Sequence, residues 1–215
     1  MDNFGQKTNM ALKVEDLDDQ CRFRHILKVP YDELVGFILD YIRRNTGLMI
    51  FFWSLCLIFA GLALTIRFNI AGYFPHRNII THSFLGLIVF PILAIPVHEI
   101  LHVFPFLLTG ARRIRAGIDL RQYIFYVTAH RHVINSNQFR FIAYTPFILI
   151  TVILLAMVFL APGLWKWSIS LLLFVHTTMC AGDFALLNFY HINRKKKIYT
   201  WDDADEKTAY FYEEI

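Results

Sequence analysis

Between Gly47 and Ile66 the chain runs for twenty residues without a charged side chain. As a helix that stretch spans about 30 Å, the thickness of a bilayer's hydrocarbon core. Three further stretches, 83–109, 141–161 and 167–190, are nearly as apolar. Backbone in lipid must satisfy its own hydrogen bonds, so runs of this length fold as helices. Composition points the same way: 56% of residues are hydrophobic and only 18% are charged, a balance far from that of soluble domains. The predicted fold class is an all-α membrane protein with four transmembrane helices. A short β-rich segment at the membrane surface is expected between the second and third.

Basic residues give the orientation. Seven Lys and Arg precede the first span, six lie in 110–140 and five follow the last span, while the opposite loops hold only Arg67, Arg77 and Lys166. By the positive-inside rule both termini are cytosolic. The same distribution excludes a nucleic-acid reading of the pI, because the basic residues flank apolar spans instead of forming one patch. Cys21, Cys56 and Cys180 are too scattered for a disulfide framework. No cleavable signal peptide is visible, since the first apolar run is long and internal.

These signals divide the chain into three parts. Residues 1–46 read as a cytosolic arm, disordered at its start, followed by an interfacial amphipathic helix over 31–45 with Leu34, Phe37, Ile38, Tyr41 and Ile42 on one stripe. Residues 47–190 hold the spans, with 67–82 as a loop and Pro91 and Pro96 interrupting the second span. In 110–140, six arginines accompany aromatic, β-prone segments at 121–127 and 138–142. The arginines suit anionic headgroups, and His130 and His132 read as surface residues. Residues 191–215 form a cytosolic tail that opens on Arg194-Lys195-Lys196-Lys197 and continues through the acidic stretch 202–206.

The second span contains His98-Glu99-Ile100-Leu101-His102. Histidines four apart share one helix face and can ligate one zinc ion, and the glutamate beside the first can act on water as a general base. Ionisable groups inside a membrane are costly and mark functional sites. Within the four spans the only acids are Glu99 and Asp183, and the only histidines are His98, His102 and His176. Both His102 and Asp183 fall roughly 10–12 Å inside the cytosolic boundary, counting ~1.5 Å per residue. A catalytic zinc takes three protein ligands and keeps one position open. His98, His102 and Asp183 supply that number, leaving Glu99 as base. Cys180, one turn from Asp183, and His176 are the alternatives for the third ligand. Gly182 is expected to allow close approach of another backbone.

These residues, with Pro146-Phe147 opening the third span, Ala181-Gly182-Asp183-Phe184 in the fourth and the closing Tyr210-Phe211-Tyr212-Glu213, resemble the zincin peptidase family of small bacterial membrane proteins. More distantly the chain is similar to the site-2 class of intramembrane metalloproteases. The resemblance covers about residues 80–215. It implies zinc (Zn2+) on His98 and His102, Glu99 as general base and Asp183 as a ligand from a distant helix. It also implies that 113–140 presents a substrate in extended form. The site-2 class carries its third ligand in an Asp-Gly context, whereas here the order is Gly-Asp.

The expected function is intramembrane hydrolysis of a peptide bond in a membrane-embedded or juxtamembrane substrate by a zinc-activated water. The expected setting is the bilayer of a bacterial cell membrane. The alternative is a non-catalytic metal-binding or partner-binding protein of zincin-like fold. A cation path through Glu99 and Asp183 is a third option. The chain has no internal repeat of the kind many carriers show.

Overall fold

The computed structural model describes residues 12–119 and 124–215. The start of the arm, residues 1–11, and Arg121 lie outside the described residues. Among the described residues, helices dominate and six strands accompany them.

The first apolar run is α2 (Gly47–Asn69). Its start is fixed by Thr46, whose hydroxyl oxygen accepts from the Met49 amide at 3.3 Å, a standard N-cap. The second run is longer than its apolar core. A helix already begins after Pro75, so that α3 (His76–Phe84), a π turn (Leu85–Val89) and α4 (Phe90–Leu108) form one 33-residue helical stretch. The loop expected over 67–82 is thus confined to the few residues before His76. Proline fits the first turn of a helix because its missing N–H has no partner there anyway.

The third run, α5 (Ser136–Leu160), begins five residues earlier than its apolar stretch. Asn135 accepts from the amides of Asn137 and Gln138, and the Gln138 side chain accepts from the Asn135 amide. This reciprocal capping makes 138–142 helical, against the β reading of those residues. The fourth run is broken. Helices α6 (Gly163–Met179) and α7 (Ala181–Ile192) meet at Cys180 with a 41° bend. Three helical stretches are long and apolar enough to cross a membrane, and α6 with α7 makes a fourth if the bent pair counts as one span.

Helix packing relies on small residues. A Cβ on Gly86, in the π turn, would sit 2.5 Å from the Ser168 carbonyl oxygen of α6. Beside it His82 and Ser168 are 2.8 Å apart, and Trp167 donates to Ser83 at 2.9 Å. The close approach expected at Gly182 falls here instead, for a Cβ on Gly182 would meet only Ile38 Cδ1 at an ordinary 3.6 Å.

The ends of the chain form a sheet that the apolar pattern does not announce. Strand β1 (Phe23–Pro30) pairs antiparallel with β6 (Thr208–Glu214), β6 with β5 (Lys197–Asp203), and β5 with the short β4 (Ile134–Asn135). The fold is therefore helical with an added sheet, not all-α. One sheet face packs Phe23, Tyr199 and Trp201 against Val14 and Leu17 of a short 3-10 turn. The other packs Val29, Ile198 and Phe211 against Phe189 and Tyr190 of α7 and Phe37 of α1 (Leu34–Ile42). Asn188 of α7 ties α1 down. Its amide donates to the Tyr41 carbonyl at 2.8 Å, and its oxygen accepts from Thr46 at 2.6 Å. A separate hairpin of β2 (Ile114–Asp119) and β3 (Ile124–Ala129) lies between α4 and α5 and packs on α4.

Candidate metal centre

His98 and His102 are one turn apart on α4, with ring centroids 5.0 Å apart. Both are buried, each about 8% exposed, while Val97, Ile100 and Phe104 on the rest of the helix surface are exposed. The helix thus aims its two imidazoles inward and its aliphatic residues outward. Prolines 96 and 105 flank this turn.

The break at Cys180 places the third group. Asp183 lies in the first turn of α7, where unpaired amides and the helix dipole favour a carboxylate. Its Oδ2 is 3.1 Å from His98 Nε2 and its Oδ1 is 3.6 Å from His102 Nε2. The structure therefore brings together residues 85 positions apart in sequence.

The outer nitrogens of both rings are engaged. His102 Nδ1 is 3.1 Å from the Ile142 carbonyl oxygen. A carbonyl only accepts, so Nδ1 carries a proton, and in the neutral ring Nε2 presents a bare lone pair. That lone pair faces a carboxylate oxygen, and two acceptors face to face call for a metal cation or a proton between them. His98 Nδ1 is 3.3 Å from His176 Nε2. His176 is fully buried and touches the outer side of a ligand candidate, consistent with a supporting role. Cys180 Sγ lies 3.8 Å from the same His176 nitrogen. His98, His176 and Cys180 form a group of donors near one another; His176 meets Nδ1 of His98, whereas Asp183 meets Nε2.

Glu99, next to His98, lines the same cavity as His98, His102 and Asp183. Val127 of β3 lines the cavity as well. The cavity measures about 460 Å³ and is walled by α1, α4, α5, α7, β3 and the inner face of the sheet. The donor set of two imidazole nitrogens, a carboxylate and an adjacent glutamate suits zinc, which accepts nitrogen and oxygen ligands and can keep one position open.

His130 and His132 are not free surface residues. The His130 ring, 8% exposed, accepts from the Ala204 amide at 3.1 Å, and His132 Nε2 is 3.2 Å from the Thr109 hydroxyl. His130 also lies near Asp203 and Asp205. Asp203 spends its Oδ1 on the amides of Asp205 and Glu206, so this group fastens a turn. One acidic cavity residue sits in the stretch read from sequence as a cytosolic tail: Asp202, on the inner face of β5. Its inward position in the period-2 pattern is the signal that could have found it.

No curated protein matches the chain, and no solved structure does. A family model described as "putative zincin peptidase" matches residues 91–199, which contain His98, Glu99, His102 and Asp183. On that match over half the chain, and with the clustered histidines and carboxylates inside it, the protein belongs to this zincin peptidase family.

Proposed function

We propose that the protein is an intramembrane zinc metallopeptidase that crosses the bilayer four times and cleaves a membrane-embedded or juxtamembrane peptide. The observation that carries this reading is the convergence of His98 Nε2 and His102 Nε2 on the two oxygens of Asp183, with Glu99 in the same cavity.

Zinc held by His98, His102 and Asp183 supplies a Lewis acid that polarises the scissile carbonyl and brings the pKa of water toward ~7. The chain's own residues do the rest. Glu99 takes the proton of the attacking water as its oxygen bonds to the carbonyl carbon. It returns that proton to the amide nitrogen as the C–N bond breaks. His176 and the Ile142 carbonyl hold the two imidazole rings in orientation. Strand β3, which lines the cavity together with Glu99, supports presentation of the substrate as an extended strand, since cleavage needs an unwound backbone.

The sheet supports four crossings. Strands β1 and β6 pair directly, so the two ends share one side of the membrane and the number of crossings is even. With α2, the α3–α4 stretch and α5 as three spans, the bent α6–α7 pair supplies the fourth. The charge asymmetry supports the cytosolic side of a bacterial cell membrane for both ends.

Purified protein is expected to hold about one zinc per chain and to lose it in His98→Ala, His102→Ala and Asp183→Ala. Glu99→Gln should retain zinc and lose cleavage of membrane peptides. Cleavage by Glu99→Gln at the wild-type rate would rule the mechanism out.

A further inference from the structure

Asp202 breaks the pattern of its strand. Along β5 the side chains of Tyr199 and Trp201 pack on the outer face of the sheet, while Ile198, Thr200 and Asp202 point inward. An inward position calls for an apolar side chain. Thr128 of β3 donates to Asp202 Oδ2 at 2.6 Å. Among the described residues Oδ1 makes no hydrogen bond, and no Lys, Arg or His lies within 4.0 Å of the carboxylate.

The surroundings favour a positive guest. Among the described residues no lysine or arginine lines the cavity. The rings of Tyr31 and Tyr126, 5.0 Å apart in a T-shaped pair, border it beside Phe125 and Phe211, and aromatic faces attract organic cations. Zinc held as proposed above offsets Asp183 and Glu99, which leaves Asp202 as the uncompensated charge among the cavity's described residues. A single open carboxylate oxygen is too few ligands for a hard metal ion, which takes six or more oxygens.

We propose that Asp202 is the recognition point for a cationic group of the peptide substrate: a lysine ammonium, an arginine guanidinium or a free amino terminus. The group sits between the carboxylate and the rings of Tyr31 and Tyr126. This rests on the peptidase reading for the identity of the guest. The position is close to the chemistry, because Glu99, Val127, Thr128 and Asp202 line one cavity. The recognised cation therefore lies within a few residues of the scissile bond.

The test is binding of fluorescent nonapeptides to zinc-loaded Glu99→Gln protein in nanodiscs, followed by anisotropy. One apolar peptide, blocked at both ends, carries a central norleucine. Its variants carry lysine or arginine there, or keep norleucine and leave the amino terminus free. At least one cationic variant should bind about tenfold tighter than the blocked norleucine peptide, the scale of a hydrogen bond to a charged group. Which variant gains identifies the source of the cation. Asp202→Asn, which is isosteric and keeps the Thr128 contact, should remove the gain. Equal binding of all four peptides, no binding of any, or a preference that survives Asp202→Asn would overturn the proposal. If the preference appears as stated but wild-type protein leaves the bound peptide whole, the peptidase reading fails and the cation site stands.

Discussion

His102 Nδ1 bonds to a carbonyl that a proline has set free. In a regular helix the Ile142 oxygen would accept from the amide of residue 146. That residue is Pro146, which has no N–H, and the carbonyl accepts from His102 at 3.1 Å instead. A proline on α5 thereby fixes the tautomer of a histidine on α4.

Replacing that proline should loosen the metal and not the fold. In Pro146→Ala the new amide competes for the Ile142 oxygen, and His102 loses its orienting partner. Zinc affinity should fall about tenfold or more, the usual scale for loss of a partner behind a metal ligand. Chelator competition reads the affinity, and the visible spectrum of the cobalt-substituted protein reads the ligand geometry. Unchanged affinity would mean that other contacts orient His102.

Substrate selectivity should depend on pH with a defined sign. Burial pushes the Asp202 carboxyl up to about 6, against the opposing pull of the Thr128 hydrogen bond. Above that value the group is ionised and can hold a cation; below it the group is neutral. Tyr31, the titratable side chain facing it, is itself raised by burial and stays neutral throughout. The preference for a cationic peptide over its norleucine counterpart should be full near pH 7.5 and fade toward pH 5. Asp202→Asn should show no preference at either pH. Using the ratio of two peptides cancels the titration of the histidines, which affects both alike.

Gly86→Ala should destabilise the helical domain by about 1–3 kcal/mol, because a methyl there meets the Ser168 backbone and Leu171 Cβ, which must shift. Gly61→Ala, with nothing within 4 Å of the added atom, should be neutral or mildly stabilising. Thermal unfolding of the two variants in the same detergent separates packing from general helix propensity.

The clustering of His98, His102 and Asp183 was legible because charge inside an apolar run is rare. The apolar spans contain few ionisable residues, and similar depth pairs them. The bend at Cys180 was not legible, since α6 and α7 are both apolar and no proline or glycine marks the junction itself. Residues 138–142 misled because their aromatic, β-branched composition competes with a local cap at Asn135, and the cap prevails. The sheet was hidden for another reason. A strand such as Phe23–Pro30 has no local partner, and its register is set by residues nearly the whole chain away. In sequence Asp202 is one more acid of a charged tail, because only the strand makes its inward position visible.

That long-range pairing also sets a schedule. Arg22 and its partner Glu214 are 192 residues apart, and a ribosome needs roughly 10 to 40 s to cover such a distance. During that time β1 waits with an open edge while the apolar helices enter the bilayer. The cavity lacks its sheet wall until β5 and β6 emerge, so a half-made chain has the histidines of α4 without Asp183 or Asp202. The order of synthesis thus completes the candidate metal centre only after α7 has been made.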